Sequence, residues 1–392
     1  MRRVAGLTEV RLAGVTWDHP RGHDPLVAAT REYQADLSNA VISWSSRSLR
    51  EFGEGDVVSL ARQHDLLIID HPACGSIAKT RCCVALDEAL EHGALDELRD
   101  SYVGRSYESY GYAGHQWALP IDAACHVAAA RPDLLGAAGV GELPTNWEGV
   151  IALAKRLRRH GQGQMLLPLS ATDCLMSLLS IRASLRDEER SDERASYQTW
   201  VEALRILREV TAVARSGGPQ HTPGSPVTIL ELMSTSDEVA YCPLLFGYSN
   251  YCRAGFRRHL VEFSSPPGPV GGAGGSVLGG AGIAVSTRTR CIEAALALAL
   301  YLTSAAVQRG TYLRCGGQPA HRDVWTATEA DALTAGFFRN TLETIEKAYL
   351  RPRYDGYIER QNRCGRAVHN WLSAGASDGV TELTSTLAEC FG

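Results

Sequence analysis

The residues best suited to covalent chemistry are two cysteines that stand close to acidic residues and histidines. Cys125 follows Asp122 by three residues, and Cys74 lies in the segment Asp70-His71-Pro72-Ala73-Cys74-Gly75. A thiol becomes a nucleophile only when a base, a cation or a helix N-terminus activates it. Asp122 and His71 are the acid–base partners under that hypothesis. The alternative is that both thiols are inert, since cysteine also behaves as a small buried hydrophobic residue.

The chain contains eleven cysteines, an odd number, so they cannot all pair within one molecule. There is no C-x-x-C motif and no Cys/His cluster with the spacing of a zinc site, so we predict no metal and no cofactor. Unpaired thiols are typical of a reducing compartment.

The N-terminal residues bear on the expected location. A secretory signal has a basic start followed by roughly 7–15 apolar residues. Arg2 and Arg3 supply the charge, but Glu9 and Arg11 interrupt the apolar stretch. We therefore expect a cytoplasmic protein, or an extracytoplasmic one if a leader was trimmed.

Length and charge exclude several classes of protein. At roughly 100–200 residues per domain, 392 residues predict two or three domains and a core large enough to need no disulfides. The net charge of -5 argues against a nucleic-acid surface, which carries a basic excess. No apolar run approaches the roughly 20 residues of a membrane span, so we predict no membrane insertion.

The first 75 residues alternate between segments typical of strands and segments typical of helices. Apolar segments at 10–16, 40–44 and 65–70 predict strands, and the segments 25–37 and 55–62 predict helices between them. A β-α-β-α-β series of this kind predicts an α/β fold with a doubly wound sheet and right-handed crossovers.

Polar and aromatic residues stand where the first and third predicted strands end. Trp17, Asp18 and His19 follow the first strand, and Asp70 and His71 follow the third. Ligands of doubly wound sheets bind beyond the carboxyl ends of the strands, so this pattern favours a binding cleft. The alternative is that the acids cap the following helices.

The Gly- and Pro-rich segment 264–280 does not match the motifs of nucleotide-binding loops. A phosphate-binding loop needs a lysine, which is missing here. A dinucleotide fingerprint belongs in the first βαβ unit, and both its spacing and its position differ from this segment. We predict a tight loop that enters a strand at 282–286 and a helix at 290–302.

A family resemblance appears in the C-terminal half. The segments Leu278-Gly279-Gly280-Ala281-Gly282-Ile283-Ala284-Val285-Ser286, Glu293-Ala294-Ala295 and 301–308 resemble the carbohydrate-type extracellular solute-binding proteins of ABC importers. Gly316-Gly317-Gln318-Pro319 continues the pattern, and Trp117-Ala118-Leu119-Pro120 fits the same plan. The resemblance covers nearly the whole chain and specifies the fold better than the ligand.

The resemblance implies a type II periplasmic-binding-protein fold, with two α/β lobes, a ligand cleft between them and hinge closure. Lobe one would comprise 1–117 and 246–312, and lobe two 118–245 and 313–392. The chain would cross between lobes near 117–122, 241–248 and 308–321.

The same resemblance implies recognition of a sugar by aromatic rings and polar side chains. The ligand-binding candidates are Trp17, Asp18, His19, Asp70, His71, Trp117, Asp122, Tyr248, Asn250, Tyr251, Gln318, His321, Arg353 and Tyr354. Two alternatives stay open: Trp117 packs in a core, and Arg353, together with Arg351, joins an ion network with Asp355 or Glu359.

Three functions follow as hypotheses. The first is a solute-binding protein for a small polar, carbohydrate-like ligand, with an ABC permease as partner if the chain is exported. The second is a cytoplasmic enzyme on the same fold, in which Cys125 or Cys74 acts as the nucleophile, as in thiaminases. The third is a metabolite-sensing regulatory subunit. In each case we expect a monomer or weak dimer that binds no nucleic acid.

Overall fold

The computed structural model describes residues 10–36, 40–91, 93–161, 163–185, 193–215, 224–268, 276–375 and 379–391. The chain divides into two compact units, each built from discontinuous segments. Unit 1 comprises Met1–Ala123, Gly279–Ala330 and Arg353–Gly356, and unit 2 comprises Ala124–Leu278, Asp331–Pro352 and Tyr357–Gly392. Residues 269–275 of the Gly-rich segment lie outside the described residues.

The unit boundaries differ from the lobe boundaries inferred from the sequence. Residues 246–278 belong to unit 2, and residues 313–330 belong to unit 1. The reason lies in the strand Val239–Phe246, which pairs inside the sheet of unit 2 and does not leave it. The chain returns to unit 1 at the start of the strand Leu278–Val285.

The described residues form ten strands. They are β1 (Val10–Trp17), β2 (Ala40–Arg47), β3 (Leu66–Ile69), β4 (Gly111–Tyr112), β5 (His115–Gln116), β6 (Leu119–Ala130), β7 (Gln164–Met165), β8 (Val239–Phe246), β9 (Glu262–Ser264) and β10 (Leu278–Val285).

The described residues also form nineteen α-helices. They are α1 (Pro20–Asp36), α2 (Leu49–Glu54), α3 (Val57–Gln63), α4 (Cys74–Thr80), α5 (Leu86–Ala89), α6 (Ala94–Arg99), α7 (Ser106–Ser109), α8 (Pro132–Ala137), α9 (Trp147–His160), α10 (Ala171–Ser184), α11 (Glu193–Arg215), α12 (Pro226–Thr235), α13 (Ile292–Thr303), α14 (Ala305–Val307), α15 (Arg322–Trp325), α16 (Thr328–Leu333), α17 (Phe337–Glu346), α18 (Tyr357–Ala374) and α19 (Val380–Phe391). Among the described residues, no helix combines the length and the apolarity that crossing a membrane requires.

Unit 1 is built on the strand order β2-β1-β3-β10. β1 is parallel to both β2 and β3, whereas β10 is antiparallel to β3. The predicted β-α-β-α-β series is confirmed, because α1 connects β1 to β2 and α2 and α3 connect β2 to β3. All four residues of β3 are buried, which explains its uninterrupted apolar sequence.

The sheet of unit 2 contains β6, β7, β8 and β9. β6 is antiparallel to β8 and β9, and β7 is parallel to β8. α10 is buried along most of its length and packs against α18, where Gly365 permits a close approach: a Cβ there would lie 2.7 Å from the backbone oxygen of Ala171. The segment that follows β6 begins α8, with Pro132 in the first helical turn, where proline is favoured.

Candidate functional site

The carboxyl ends of β1 and β3 form one edge of unit 1, which we call the strand-end edge and define by Asp18, His19, Asp70 and His71. Asp18 and His19 follow β1, and Asp70 and His71 follow β3. The two strands are parallel neighbours, so their carboxyl ends meet at the same side of the sheet. Asp18 is exposed and Asp70 is partly buried, whereas both histidines are buried. The strand-end edge therefore carries two carboxylates above buried imidazoles.

Three of these residues also fix the local backbone. Asp70 Oδ1 accepts a hydrogen bond from the backbone N–H of His71 at 2.9 Å, and His71 Nδ1 lies 3.2 Å from the same oxygen. His19 Nδ1 accepts the backbone N–H of Arg21 at 3.0 Å. The capping alternative therefore describes Asp70, while the carboxylate of Asp18 points to solvent.

A buried ion pair lies in the same unit. Arg21, in the first turn of α1, donates from Nε to Asp122 Oδ2 at 2.8 Å and from Nη2 to Asp122 Oδ1 at 2.5 Å. The two residues are 3% and 2% exposed. Burial raises the pKa of Asp122, and the guanidinium of Arg21 counteracts that rise. Asp122 therefore holds the first turn of α1 against β6 and does not face solvent as a base.

Tyr312 and Gln318 belong to the same buried region. Gln318 Nε2 donates to the backbone oxygen of Ala123 at 2.7 Å, and Ala123 N–H donates to the backbone oxygen of Gln318 at 3.1 Å. Gln318 is fully buried, so its amide fixes the end of β6 in unit 1. Burial, together with the charge of Asp122, raises the pKa of Tyr312 well above its usual value. Its hydroxyl has no hydrogen-bond partner among the described residues.

The two tryptophans among the ligand-binding candidates pack against other side chains of unit 1. Trp17 stacks obliquely against Phe52 with 5.0 Å between the ring centroids. Trp117 donates from Nε1 to the backbone oxygen of Tyr112 at 2.9 Å, and the guanidinium of Arg81 lies 5.5 Å from its ring centroid. Both tryptophans are buried. Trp117 therefore packs in a core, as the alternative stated, and Trp17 does the same.

Burial of Cys74 outweighs the two features that could activate its thiol, its position at the start of α4 and the charge of Arg353. Its thiol lies 3.7 Å from the backbone oxygen of Tyr110, as a donor, and burial raises its pKa to about 12. An activated cysteine has a lowered pKa. His71 packs edge-on against the ring of Tyr110, at 6.4 Å between centroids. The geometry of unit 1 therefore does not support the thiol-enzyme hypothesis at Cys74.

Four further residues that the sequence predicted for the site lie in unit 2. Cys125, in β6, is buried, as are Tyr248, Asn250 and Tyr251. The hydroxyl of Tyr251 donates to Glu231 Oε1 at 2.7 Å, and Glu231 is itself paired with a neighbouring arginine. Tyr251 is therefore anchored in an internal polar network of unit 2.

His321, Arg353 and Tyr354 lie in unit 1. His321 forms a backbone bridge with Tyr102, and burial lowers the pKa of its imidazole. Arg353 Nη1 donates to the backbone oxygen of Glu108, and Tyr354 is partly buried. Asp355 pairs with Lys79 at 2.6 Å, and among the described residues Arg353 forms no ion pair with Asp355 or Glu359.

Within the described part of the chain, one group of possible metal ligands occurs, and it lies in unit 2. Asp133, Asp237 and His259 have ligand atoms within 4.8 Å of one another. Arg131 Nη2 lies 2.6 Å from Asp133 and 3.0 Å from Asp237, so one guanidinium already pairs with both carboxylates and occupies the space between them. The donor set therefore does not fit a divalent cation.

Arg21, the cation that pairs with Asp122, was not among the residues predicted for the site. The available signal was Asp122 itself. A carboxylate inside an otherwise apolar strand requires a buried partner, and an arginine in the first turn after β1 is within reach of the same sheet.

The comparisons with known proteins bear on the fold. Neither a protein-family model nor a curated protein matches the chain by sequence. The structure is similar to maltose-bound MalE3 of T. maritima, with 16% identity, 97% of this chain and 98% of that chain covered and a TM-score of 0.80. It is also similar to an ABC transporter solute-binding protein from Agrobacterium radiobacter K84 in complex with ribitol, with 20% identity, 98% coverage of both chains and a TM-score of 0.79.

A third similar structure is an ABC transporter solute-binding protein from Thermotoga lettingae TMO bound to α-D-tagatose. Its identity is 14%, the match covers 98% of this chain and 100% of that chain, and the TM-score is 0.78. The likeness extends over nearly the full length in all three cases. The chain thus has the mixed α/β fold of the MalE-type solute-binding proteins of ABC transporters.

Proposed function

We propose that this protein is a solute-binding protein for a small, uncharged polar ligand of the sugar or polyol class. The observation that carries the proposal is the full-length likeness to solute-binding proteins crystallised with maltose, ribitol and α-D-tagatose. These ligands share several hydroxyl groups and carry no charge.

On this proposal, the strand-end edge contributes the polar contacts of unit 1. Sugar hydroxyls donate to carboxylates in charge-assisted hydrogen bonds, and Asp18 and Asp70 are the carboxylates of that edge. The buried Arg21–Asp122 pair supports them by fixing the first turn of α1, which follows directly after Asp18.

Closure on the ligand is a further part of the proposal. The two units are joined by several chain passages, at 123–124, 278–279 and 330–331 and at both ends of 353–356. Ligand binding by hinge closure would shift the protein toward a more compact state. Small-angle X-ray scattering should then give a smaller radius of gyration with a saturating sugar than without it. An ABC permease as partner belongs to the same proposal, and a pull-down with candidate permeases tests it.

The binding proposal is tested by thermal unfolding with maltose, ribitol, D-tagatose and D-mannitol. A ligand that binds only the folded state raises stability by about 2.7 kcal/mol at 100 times its dissociation constant. Asp18→Asn and Asp70→Asn should reduce the shift, since each removes a charged acceptor. Glu293→Gln, at an exposed carboxylate of α13, is the control and should retain it. Equal shifts in all three variants would exclude the strand-end edge as the binding surface.

A further inference from the structure

Unit 1 contains a polar concavity, which we call the Arg353 cavity. Its volume is about 1060 Å³, and residues of α6, α7, the β4–β5 hairpin, Arg322 and Arg353 line it. None of the four residues that define the strand-end edge contributes to its walls. A cavity of this size holds a small organic ligand, since ligand pockets commonly measure about 300–1,000 Å³.

The position of Arg353 in this cavity is fixed by its backbone. The segment 353–356 lies directly against α4, where a Cβ on Gly75 would come within 2.0 Å of the Arg353 backbone oxygen. At the other end of the side chain, Nη1 donates to the backbone oxygen of Glu108 at 2.5 Å. The guanidinium is therefore held in place before any ligand arrives.

No carboxylate among the described residues pairs with this guanidinium. Glu108 is bound by Arg105 through two hydrogen bonds of 2.8 and 2.5 Å, and Asp355 is bound by Lys79. Arg353 is partly buried, and burial lowers its pKa. A partly desolvated cation whose acidic neighbour Glu108 is already paired with Arg105 is suited to an incoming anion, which arginine binds through parallel N–H donors.

An aromatic wall stands beside this cation. Tyr112 lines the same cavity, and its backbone oxygen accepts the indole N–H of Trp117. The hairpin turns through Ala113 and Gly114, both with positive φ, so the loop holds a defined conformation. The apolar face of a sugar ring can pack on such a tyrosine.

We propose that the Arg353 cavity binds a small sugar-like molecule that carries an oxyanion, with the carboxylate or phosphate on Arg353 and the ring against Tyr112. This site is separate from the strand-end edge and takes a charged ligand, whereas the proposed solute is uncharged. The shared chemistry is an oxyanion on a polyhydroxylated ring, which both sugar phosphates and sugar acids provide.

Isothermal titration calorimetry on the full chain tests this inference with glucose 6-phosphate, glucuronate and inorganic phosphate as probes. We expect saturable binding of at least one of the two sugar anions, and the stronger one identifies phosphate or carboxylate as the preferred group. Arg353→Gln should weaken it at least tenfold, and Arg353→Lys should weaken it less. Arg50→Gln, at an exposed arginine of α2, is the matched control and should change the affinity less than twofold.

Tyr112→Ala separates the ring from the anion. This substitution should weaken the binding of the sugar anion and leave the binding of inorganic phosphate unchanged. The inference is wrong if neither sugar anion binds, or if Arg353→Gln and Tyr112→Ala, both folded by circular dichroism, bind as tightly as the wild type. The Asp18→Asn variant should bind the sugar anion as tightly as the wild type does. Failure of the neutral-sugar proposal is therefore distinguishable from failure of the proposal for the Arg353 cavity.

Discussion

Arg21 binds Asp122 through two parallel hydrogen bonds, with both residues almost fully buried in unit 1. The pair joins the first turn of α1 to β6, so it connects a residue next to the strand-end edge with a strand that runs on into unit 2. Two charges removed from water stabilise a fold only while both are present.

Removing one member of this pair should therefore be costly. We expect Asp122→Ala to lower the free energy of unfolding by about 3–5 kcal/mol, because Arg21 then stays buried without a counter-charge. The double substitution Arg21→Met, Asp122→Leu should recover most of that loss. Urea denaturation measures both values, and a double variant as unstable as Asp122→Ala would contradict the assignment.

Gly75 should tolerate no side chain. A Cβ there would lie 2.0 Å from a backbone oxygen and 2.4 Å from a backbone nitrogen of the segment 353–355, which cannot yield as a flexible side chain could. Overpacking of this kind costs typically 1–3 kcal/mol or more, so Gly75→Ala should lower the melting temperature.

The matched control for that substitution is Gly53, in α2. Nothing lies within 4 Å of a Cβ at this position. Gly53→Ala should stabilise the protein by roughly 0.5–1 kcal/mol, since alanine is the better helix former. Equal effects of the two substitutions would contradict the packing at Gly75.

His126 predicts a pH dependence of stability. Its imidazole is buried in unit 2, with Nδ1 3.0 Å from Ser180 Oγ, and burial lowers its pKa to about 3. The unfolded chain takes up this proton near the ordinary histidine value of about 6.5. Between these two values the unfolded state holds the extra proton, so the free energy of unfolding falls as the pH falls, by about 1.4 kcal/mol per pH unit from this group.

Denaturation of His126→Gln and the wild type at pH 4.5 and 7 measures that contribution. The wild type should lose more stability on acidification than the variant. His160→Gln, at an exposed residue of α9, serves as the control and should behave like the wild type. Parallel losses in the wild type and His126→Gln would show that His126 is not buried in its neutral form.

Cys82 should be the first thiol to react in the native protein. A hydrogen bond from the neighbouring thiol of Cys83 lowers the pKa of Cys82 to about 7, and the side chain is partly exposed. Peptide mapping after brief iodoacetamide treatment at pH 7.5 should find the label on Cys82, and Cys82→Ala should remove this fast phase. Faster labelling of Cys125 or Cys74 would instead revive the thiol-enzyme hypothesis.

The fold was largely predictable from the sequence because its signals are local. The apolar run at 66–69 and the alternating strands and helices before it predict the sheet of unit 1 correctly. The unit boundaries were not predictable in the same way. Strand β8 resembles a crossing strand in sequence, and only its pairing with β6 and β7 places it inside unit 2.

The sequence indicated which residues lie at the ends of the strands, but it did not indicate which side chains pack against one another. The strand ends identify Asp18 and Asp70 as edge residues, because chain direction alone determines where parallel strands end. Whether a ring is open or packed depends on contacts distant in sequence, such as Phe52 on Trp17. For the same reason, the partnership of Arg21 with Asp122, 101 residues apart, has no local signature.

The proposed function requires that this chain binds an uncharged sugar or polyol. Isothermal titration calorimetry of the wild-type protein with maltose, ribitol, D-tagatose and D-mannitol tests it most directly. We expect saturable binding of at least one of them with one site per chain, and weaker binding by Asp18→Asn than by Glu293→Gln. Absence of saturable heat with every neutral sugar and polyol, in protein that unfolds cooperatively, would contradict it.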